Sequence, residues 1–300
     1  MAILINEQTK VLVQGITGRE GSDRTRFMLD YGTNVIGGVT PGRGGSKIWG
    51  LPVFNSVKDA LNAVGNIDAS VTFVPGPQVK AAVIEAIEGN IPLVLVPAER
   101  VPLQDTIQMI ALSSSKGVRI LGPGSLGLIS PGKAVMGWLG GSEEFAREIF
   151  NPGDVGVISR SGGQTSTVAW SLAKVGIGTT TALHVGSEPI VGLSFAEILP
   201  LFEEDDETRA AVMFGEIGGI AEEEAAEVIK DRKYTKPLIV YIAGRNLPAG
   251  VRFSHASAII EKGRGTAESK IKALEDVGAC VVQRPQDIAP AVTKALKAAS

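Results

Sequence analysis

His255 follows a run containing proline and glycine, Arg245-Asn-Leu-Pro-Ala-Gly-Val-Arg252-Phe-Ser254, and precedes the small residues Ala256, Ser257 and Ala258. A loop histidine backed by small side chains can be approached closely. With an ordinary pKa of roughly 6.5, its ring keeps a nitrogen available to attack a phosphoryl group near neutral pH. Such a histidine can equally serve nearby backbone groups, so its neighbours decide the chemistry. Ser159, Arg160, Ser161, Gly162 and Gly163 offer hydroxyls, a guanidinium and the first amides of a predicted helix, which together suit a phosphate dianion. Glu216, flanked by glycines in Gly215-Glu216-Ile217-Gly218-Gly219, can accept a hydrogen bond from the other ring nitrogen of His255 and fix its tautomer. His184, before Gly186-Ser187-Glu188-Pro189, reads as structural, and Cys280, between Ala279 and Val281, as a buried strand residue.

A second glycine cluster stands near the start of the chain. Gly15-Ile16-Thr17-Gly18-Arg19-Glu20-Gly21 is similar to the dinucleotide fingerprint displaced by one residue, with glycines for the tight turn and helix amides facing a phosphate. The second predicted strand does not close on the acid that would hold a nicotinamide ribose; it runs through Val39 into Thr40-Pro41-Gly42-Arg43-Gly44-Gly45. Arg43 and Lys47 suit additional phosphates, and coenzyme A carries a pyrophosphate and a 3′-phosphate. A nicotinamide-dependent dehydrogenase accounts for the first loop but leaves His255, Glu216 and the serine–arginine turn without a joint purpose. A tight turn with no ligand accounts for either loop taken singly.

The composition narrows the classes. Lys and Arg total 29 against 32 for Asp and Glu, a net charge of −3, so no global basic field draws nucleic acid or an anionic membrane. One cysteine forms no internal disulfide, and two histidines assemble no zinc or haem site, so no metal site is expected in this chain. The first ten residues lack a basic stretch before an apolar run, and no apolar run approaches the roughly 20 residues that span a bilayer. The chain reads as cytoplasmic.

These residues must be held by strands and helices in alternation. Strands are expected at 10–14, 34–39, 69–74, 93–96 and 119–121, with helices at 20–31, 56–64, 77–89 and 103–116, a βαβ series and hence a parallel sheet. The pattern lapses through Ser130-Pro131-Gly132 and Asn151-Pro152-Gly153, where a domain boundary is placed. It resumes with strands near 155–158, 179–184, 210–214, 237–242 and 279–282, and helices near 163–175, 194–203, 220–232, 267–277 and 286–298. Two α/β domains follow, with sites expected at the carboxyl ends of their strands. The acidic runs 203–207 and 222–224 read as solvated helix ends.

Taken together, Val13-Gln-Gly-Ile-Thr-Gly18, Tyr31-Gly-Thr33, 37–45, Gly50-Leu-Pro-Val-Phe54, Gly122-Pro123, Ile158-Ser-Arg-Ser-Gly162, 215–219 and His255-Ala-Ser-Ala-Ile-Ile260 resemble the alpha subunit of succinate–CoA ligase over nearly the whole chain. The resemblance implies a Rossmann-like CoA-binding domain at 1–130, a connecting segment at 131–153 and a flavodoxin-like α/β ligase domain at 154–300, in which His255 is phosphorylated. It implies the formation of acyl-CoA from a carboxylic acid, CoA and a nucleoside triphosphate, through an acyl phosphate and a phosphohistidine. CoA contacts are implied at Thr17, Gly18, Arg19, Glu20, Arg43, Pro97, Ala98 and Glu99, in a site that also takes in Gly15, Gly21, Val39, Pro41, Val74 and Pro75. The nucleotide, ATP or GTP with Mg2+, is expected on a beta subunit with a nucleotide-grasping domain, in a heterodimer or heterotetramer.

Departures from the family pattern surround the acid. The usual Ser-Gly-Thr-Leu-Thr-Tyr-Glu reads Ser161-Gly-Gly-Gln-Thr-Ser-Thr167, so Ser166 stands where the substrate-side tyrosine is usual, and the Gly-Gly form is similar to ATP-citrate lyase. Smaller residues there leave room for citrate, malate or another polar acid beside succinate. A non-catalytic CoA-binding regulator with a decayed second domain is the reading of another class.

Overall fold

The computed structural model describes residues 3–245 and 265–298; His255 lies outside the described residues. The first sheet grows around β1 (Val11–Gln14), whose four residues are all buried. Burial on both faces is what a continuous Val-Leu-Val run in a parallel sheet dictates. In chain order follow α1 (Arg19–Tyr31), β2 (Val35–Val39), β3 (Lys47–Ile48), β4 (Leu51–Phe54), α2 (Val57–Val64), β5 (Ala69–Thr72), α3 (Gly76–Glu88), β6 (Leu93–Leu95), α4 (Leu103–Lys116) and β7 (Arg119–Leu121). The order in space is β3-β4-β2-β1-β5-β6-β7, parallel except for the short β3–β4 pair. The chain leaves β1 toward β2 and later returns to its other side at β5, so the crevice for a ligand opens beside the carboxyl end of β1.

The second sheet is built from β8 (Gly127–Ser130), β9 (Ala134–Gly137), β10 (Pro152–Ser159), β11 (Thr179–His184), β12 (Ala210–Glu216), β13 (Leu238–Ala243) and β14 (Cys280–Val281), in the order β14-β13-β12-β10-β11-β8-β9. Helices α5 (Glu143–Ile149), α6 (Gly162–Ala173), α7 (Phe195–Glu204), α8 (Ala221–Lys230), α9 (Ala267–Asp276) and α10 (Ile288–Ala298) accompany it. The α/β class and nearly all the expected elements are present. The chain enters the second sheet by Gly127, and the 131–153 stretch contributes β9 and α5 to that side. The β8–β9 hairpin escapes a periodicity reading because its two four-residue strands are separated and bounded by glycine and proline, which read as punctuation.

Two local expectations are corrected. Glu222 and Glu223 lie in the first turn of α8, at a helix end as expected, but both are buried, because Glu222 pairs with the buried Lys270 and Glu223 accepts from Gly265 and Ser269. In the other acidic run, Asp205 is also buried, accepting from the Thr208 hydroxyl at 2.7 Å. Cys280 is exposed: β14 is a two-residue strand at the edge of its sheet, covered on one side only.

The two sheets share an interface. The buried Thr33 hydroxyl donates to the Val135 carbonyl at 2.7 Å and accepts from the Val135 amide at 3.0 Å, tying the end of α1 to β9. Arg147 donates to the Tyr31 carbonyl and lies 4.6 Å from the centre of its ring. Burial pushes the Tyr31 hydroxyl above its ordinary pKa, partly offset by the Gly132 amide and the Arg147 charge, so it remains a neutral phenol. Thr33→Val removes a hydroxyl while stranding both backbone groups of Val135. Its expected cost is about 2 kcal/mol of unfolding free energy, with Thr33→Ser recovering most of it, as measured by urea denaturation.

Candidate active site

At the first sheet, β1 ends in Gln14 and turns at Gly15, whose φ of +80° is the left-handed region that glycine adopts without strain. A Cβ there would stand 2.3 Å from the Phe73 carbonyl oxygen, and one on Gly21 would stand 2.1 Å from the Gly15 carbonyl oxygen. The loop therefore lies against the neighbouring strand while α1 packs on the loop. Gly18 caps α1 without a side-chain hydrogen bond, unlike Ser56 on α2, Ser142 on α5, Ser194 on α7 and Thr266 on α9. The first amides of α1 thus face outward with no intrahelical acceptor. Above the turn opens a cleft of about 800 Å³, in the size range of ligand pockets.

Gly15, Thr17, Gly18, Val39, Pro41, Val74 and Pro75 line this cleft, as the sequence suggested. Gln14, Thr40, Phe73, Gln78, Ala81, Ala82 and Glu85 line it too and were not singled out. A signal existed for them: Gln14, Thr40 and Phe73 close or follow strands, and 78, 81, 82 and 85 recur at the spacing of one helix face. The Thr17 hydroxyl donates to the Thr40 hydroxyl at 3.1 Å, pinning the two loops together. Arg19 and Glu20 are exposed on α1, outside the cleft lining, with Glu20 paired to Arg24 at 3.3 Å. Gly21 is buried beneath the turn, and Arg43 is exposed on a loop whose Gly42 and Gly44 amides both donate to the Asn55 side chain.

At the second sheet, β10 ends at Ser159 and α6 starts at Gly162. The Ser159 hydroxyl accepts from the Ser161 amide and donates to the Ser161 carbonyl, both at 2.9 Å, folding the turn upon itself. Ser161 gives α6 no side-chain cap, so the amides that open this helix have no intrahelical acceptor. Arg160 is buried between them. Its amide donates to the Phe214 carbonyl at 3.1 Å, its Nη2 donates to the Glu188 carbonyl at 3.0 Å, and its Nε lies 3.7 Å from Glu216 Oε1. Glu216, at the end of β12, thus shares the site with the serine–arginine turn. Gly163 is exposed with open space around it, and Ser166 is half-buried in the second turn of α6.

The buried His184 completes the turn. Its Nδ1 accepts from the Leu126 amide at 3.0 Å, so the neutral ring carries its proton on Nε2, which donates to the Arg160 carbonyl at 2.9 Å. Pro97, Ala98 and Glu99 do not line the cleft; they follow β6 and run to the second sheet. The Ala98 carbonyl accepts from Gly124 at 2.9 Å, and the Arg100 amide donates to the Glu188 carboxylate at 2.6 Å. This stretch is the bridge from the first sheet to Arg160. Among the described residues, no group of three or more His, Cys, Asp or Glu side chains is arranged to hold a metal ion, and no helix is long and apolar enough to cross a membrane.

A glycine-turn cleft on the first sheet and an uncapped helix start on the second belong to an α/β chain whose two sheets match the two families of a CoA ligase. The CoA binding domain family matches residues 6–100 and the CoA-ligase family residues 158–280. The chain is 46% identical over 296 residues to an ADP-forming succinate–CoA ligase alpha subunit of Archaeoglobus fulgidus, covering 99% of this chain and 100% of that protein. It is 41% identical over 288 residues to a subunit of an ADP-forming sulfoacetate–CoA ligase from an Acholeplasma species, covering 96% of each. The chain belongs to the family of succinate–CoA ligase alpha subunits. Among solved structures it is similar to ATP citrate lyase of Methanothrix soehngenii in complex with citrate and coenzyme A, with a TM-score of 0.90, 25% identity and 99% of this chain covered. The chain spans about half (51%) of the length of that lyase.

Because His184 serves two buried backbone groups at once, His184→Leu strands the Leu126 amide and the Arg160 carbonyl. The expected loss is about 2–4 kcal/mol in urea unfolding, at the upper end of single-site effects.

Proposed function

We propose that this chain is the alpha subunit of a nucleotide-dependent acid–CoA ligase, with CoA in the cleft at Gly15–Gly18 and His255 carrying a phosphoryl group to the turn at Ser159–Gly163. The observation that carries the reading is the bridge from Ala98 and Arg100 through Gly124 and Glu188 to Arg160, which joins the end of β6 in the cleft-bearing sheet to the turn that opens α6. The cleft suits CoA: its glycines let the turn lie against β5 and α1 pack on the turn, and the uncapped first amides of α1 suit a pyrophosphate. When bound, CoA supplies a thiol nucleophile.

A carboxylate is a poor electrophile, and phosphorylating it creates a leaving group that a thiol can displace. In this reading the γ-phosphoryl of the nucleotide passes to His255 and then to the acid, and the thiol displaces phosphate to give the thioester. Arg160, the Ser161 hydroxyl and the amides of Gly162 and Gly163 offset the charge of the travelling phosphoryl group, while Ser159, its hydroxyl spent within the turn, holds them in place. Glu216 accepts from the second ring nitrogen of His255 and holds the first one ready. The relatives are named as alpha subunits, which supports a beta subunit with a nucleotide-grasping domain that holds ATP or GTP with Mg2+, in a heterodimer or heterotetramer. The composition supports a cytoplasmic location. The working division is a CoA-binding unit through β7 and a ligase unit from β8 onward.

The acid in this proposal is small and carries a second anionic group. Relatives named for succinate and for sulfoacetate both have a second anion, and their identities to this chain, 46% and 41%, are close. Succinate is the first candidate. The open space around Gly163 and the short Ser166 favour a second reading, citrate or malate. The test is steady-state turnover of the copurified complex with CoA, nucleotide and a panel of succinate, sulfoacetate, malate and citrate. A CoA thioester formed one-for-one with nucleoside diphosphate is expected from at least one acid. Turnover of succinate alone would remove the bulkier reading, and CoA binding without turnover of any acid would favour the regulator.

A further inference from the structure

Behind Glu216 lies a buried ionic cluster that the proposed chemistry does not use. Lys270, on α9, is wholly buried, and its ammonium donates to the Glu216 carbonyl at 2.8 Å, to the Gly218 carbonyl at 2.7 Å and to Glu222 Oε2. The other oxygen of Glu222 accepts from the Glu216 amide at 3.0 Å. Both backbone groups of Glu216 are therefore held by one ion pair. Gly215 accommodates the pair: a Cβ there would stand 2.4 Å from Glu222 Oε1.

The cluster also grips the chain that returns from the His255 segment. The Glu223 Oε1 atom accepts from the Gly265 amide and the Ser269 hydroxyl, both at 2.9 Å, while the Gly265 carbonyl accepts from the Gly218 amide at 2.7 Å. Glu223 Oε2 is buried without a hydrogen-bond partner among the described residues, although Glu223 is only 8% exposed. Taking three carboxylate or ammonium groups out of water is costly, and well-packed apolar residues of similar volume commonly give equal stability. Directional bonds to the Glu216 backbone are what the ions provide and apolar groups do not.

We infer that Lys270 and Glu222 are positioning residues for the phosphoryl relay: the ion pair fixes the backbone of Glu216, and Gly218 fixes Gly265, which follows the His255 segment in sequence. The inference rests on the reading of His255 and Glu216 given above. Displacement of a catalytic group by an ångström costs on the order of 100-fold in rate.

The test compares the copurified complex with a variant carrying Lys270→Met and Glu222→Leu together, in three readouts: thermal midpoint, CoA affinity, and the single-turnover rate of phosphate loading onto this chain. Expected is a folded complex with a lowered midpoint, since the Glu216 amide and the Glu216 and Gly218 carbonyls lose these partners, together with unchanged CoA affinity and loading slowed about 100-fold. Loading within about two-fold of the parent in the folded variant overturns the inference. If the double variant does not fold, the isosteric Glu222→Gln carries the test: loading slowed at least about tenfold in the folded complex with unchanged CoA affinity supports it, and unchanged loading overturns it. Loading of the parent that does not depend on His255 defeats the underlying reading and the inference with it; His255-dependent loading unaffected in the variants defeats the inference alone.

Discussion

A buried guanidinium destabilises the fold unless it is paired, and Arg160 is paired, through Nη2 with the Glu188 carbonyl and as an ion pair with Glu216, because separate elements end beside it. β12 supplies the Phe214 carbonyl and Glu216, the loop after β11 supplies the Glu188 carbonyl, and His184 holds the Arg160 carbonyl from behind. Register in the parallel sheet makes this possible. Ser159 pairs with His184 on one side and with Phe214 on the other, so β10 and β11 end level while β12 runs on to Glu216 beside Arg160. The turn from Ser159 to Gly163 is then a fixed object, and the amides that open α6 point where the strands end.

The same turn explains why two sheets are needed. Glu188, which holds Arg160 through its carbonyl, accepts from the Arg100 amide through its carboxylate, while Ala98 is bonded to Gly124. Thr33 and Val135, and Arg147 and Tyr31, close the interface farther along, outside the Pro97–Glu99 bridge. The cleft-bearing sheet and the turn that opens α6 are thereby joined through bonds that neither sheet possesses alone.

Much of this was legible in the residue order. The βαβ alternation and the glycines at strand ends gave both α/β units and both turns, because period and punctuation are local properties. Of the seven cleft-lining residues expected, Gly15, Thr17 and Gly18 were legible in the glycine turn, and Val39, Pro41, Val74 and Pro75 through the family resemblance. The spacing of 78, 81, 82 and 85 marks one face of α3 but not what that face meets, since a helix side facing a cleft carries the same mix of small and polar residues as one facing water. The acid run at 222–224 misled in the same manner. Glu222 is buried because Lys270 reaches it from 48 residues away, and no local pattern records a partner at that distance. Cys280 erred in the opposite direction: an apolar neighbourhood in sequence does not reveal that its strand is the last in the sheet. His255, the centre of the proposed chemistry, was legible through its neighbours in sequence and lies outside the described residues.

The central claim is that the phosphoryl group rests on His255 while the Arg160 turn offsets its charge. Intact-mass analysis of this chain, taken from the assembled complex after incubation with Mg2+ and ATP or GTP under neutral conditions that spare phosphohistidine, addresses it most directly. The account predicts one phosphate on the unsubstituted chain and none on His255→Ala. An assembled complex that takes up no phosphate with either nucleotide, or a His255→Ala chain that takes up as much as its parent, would contradict it.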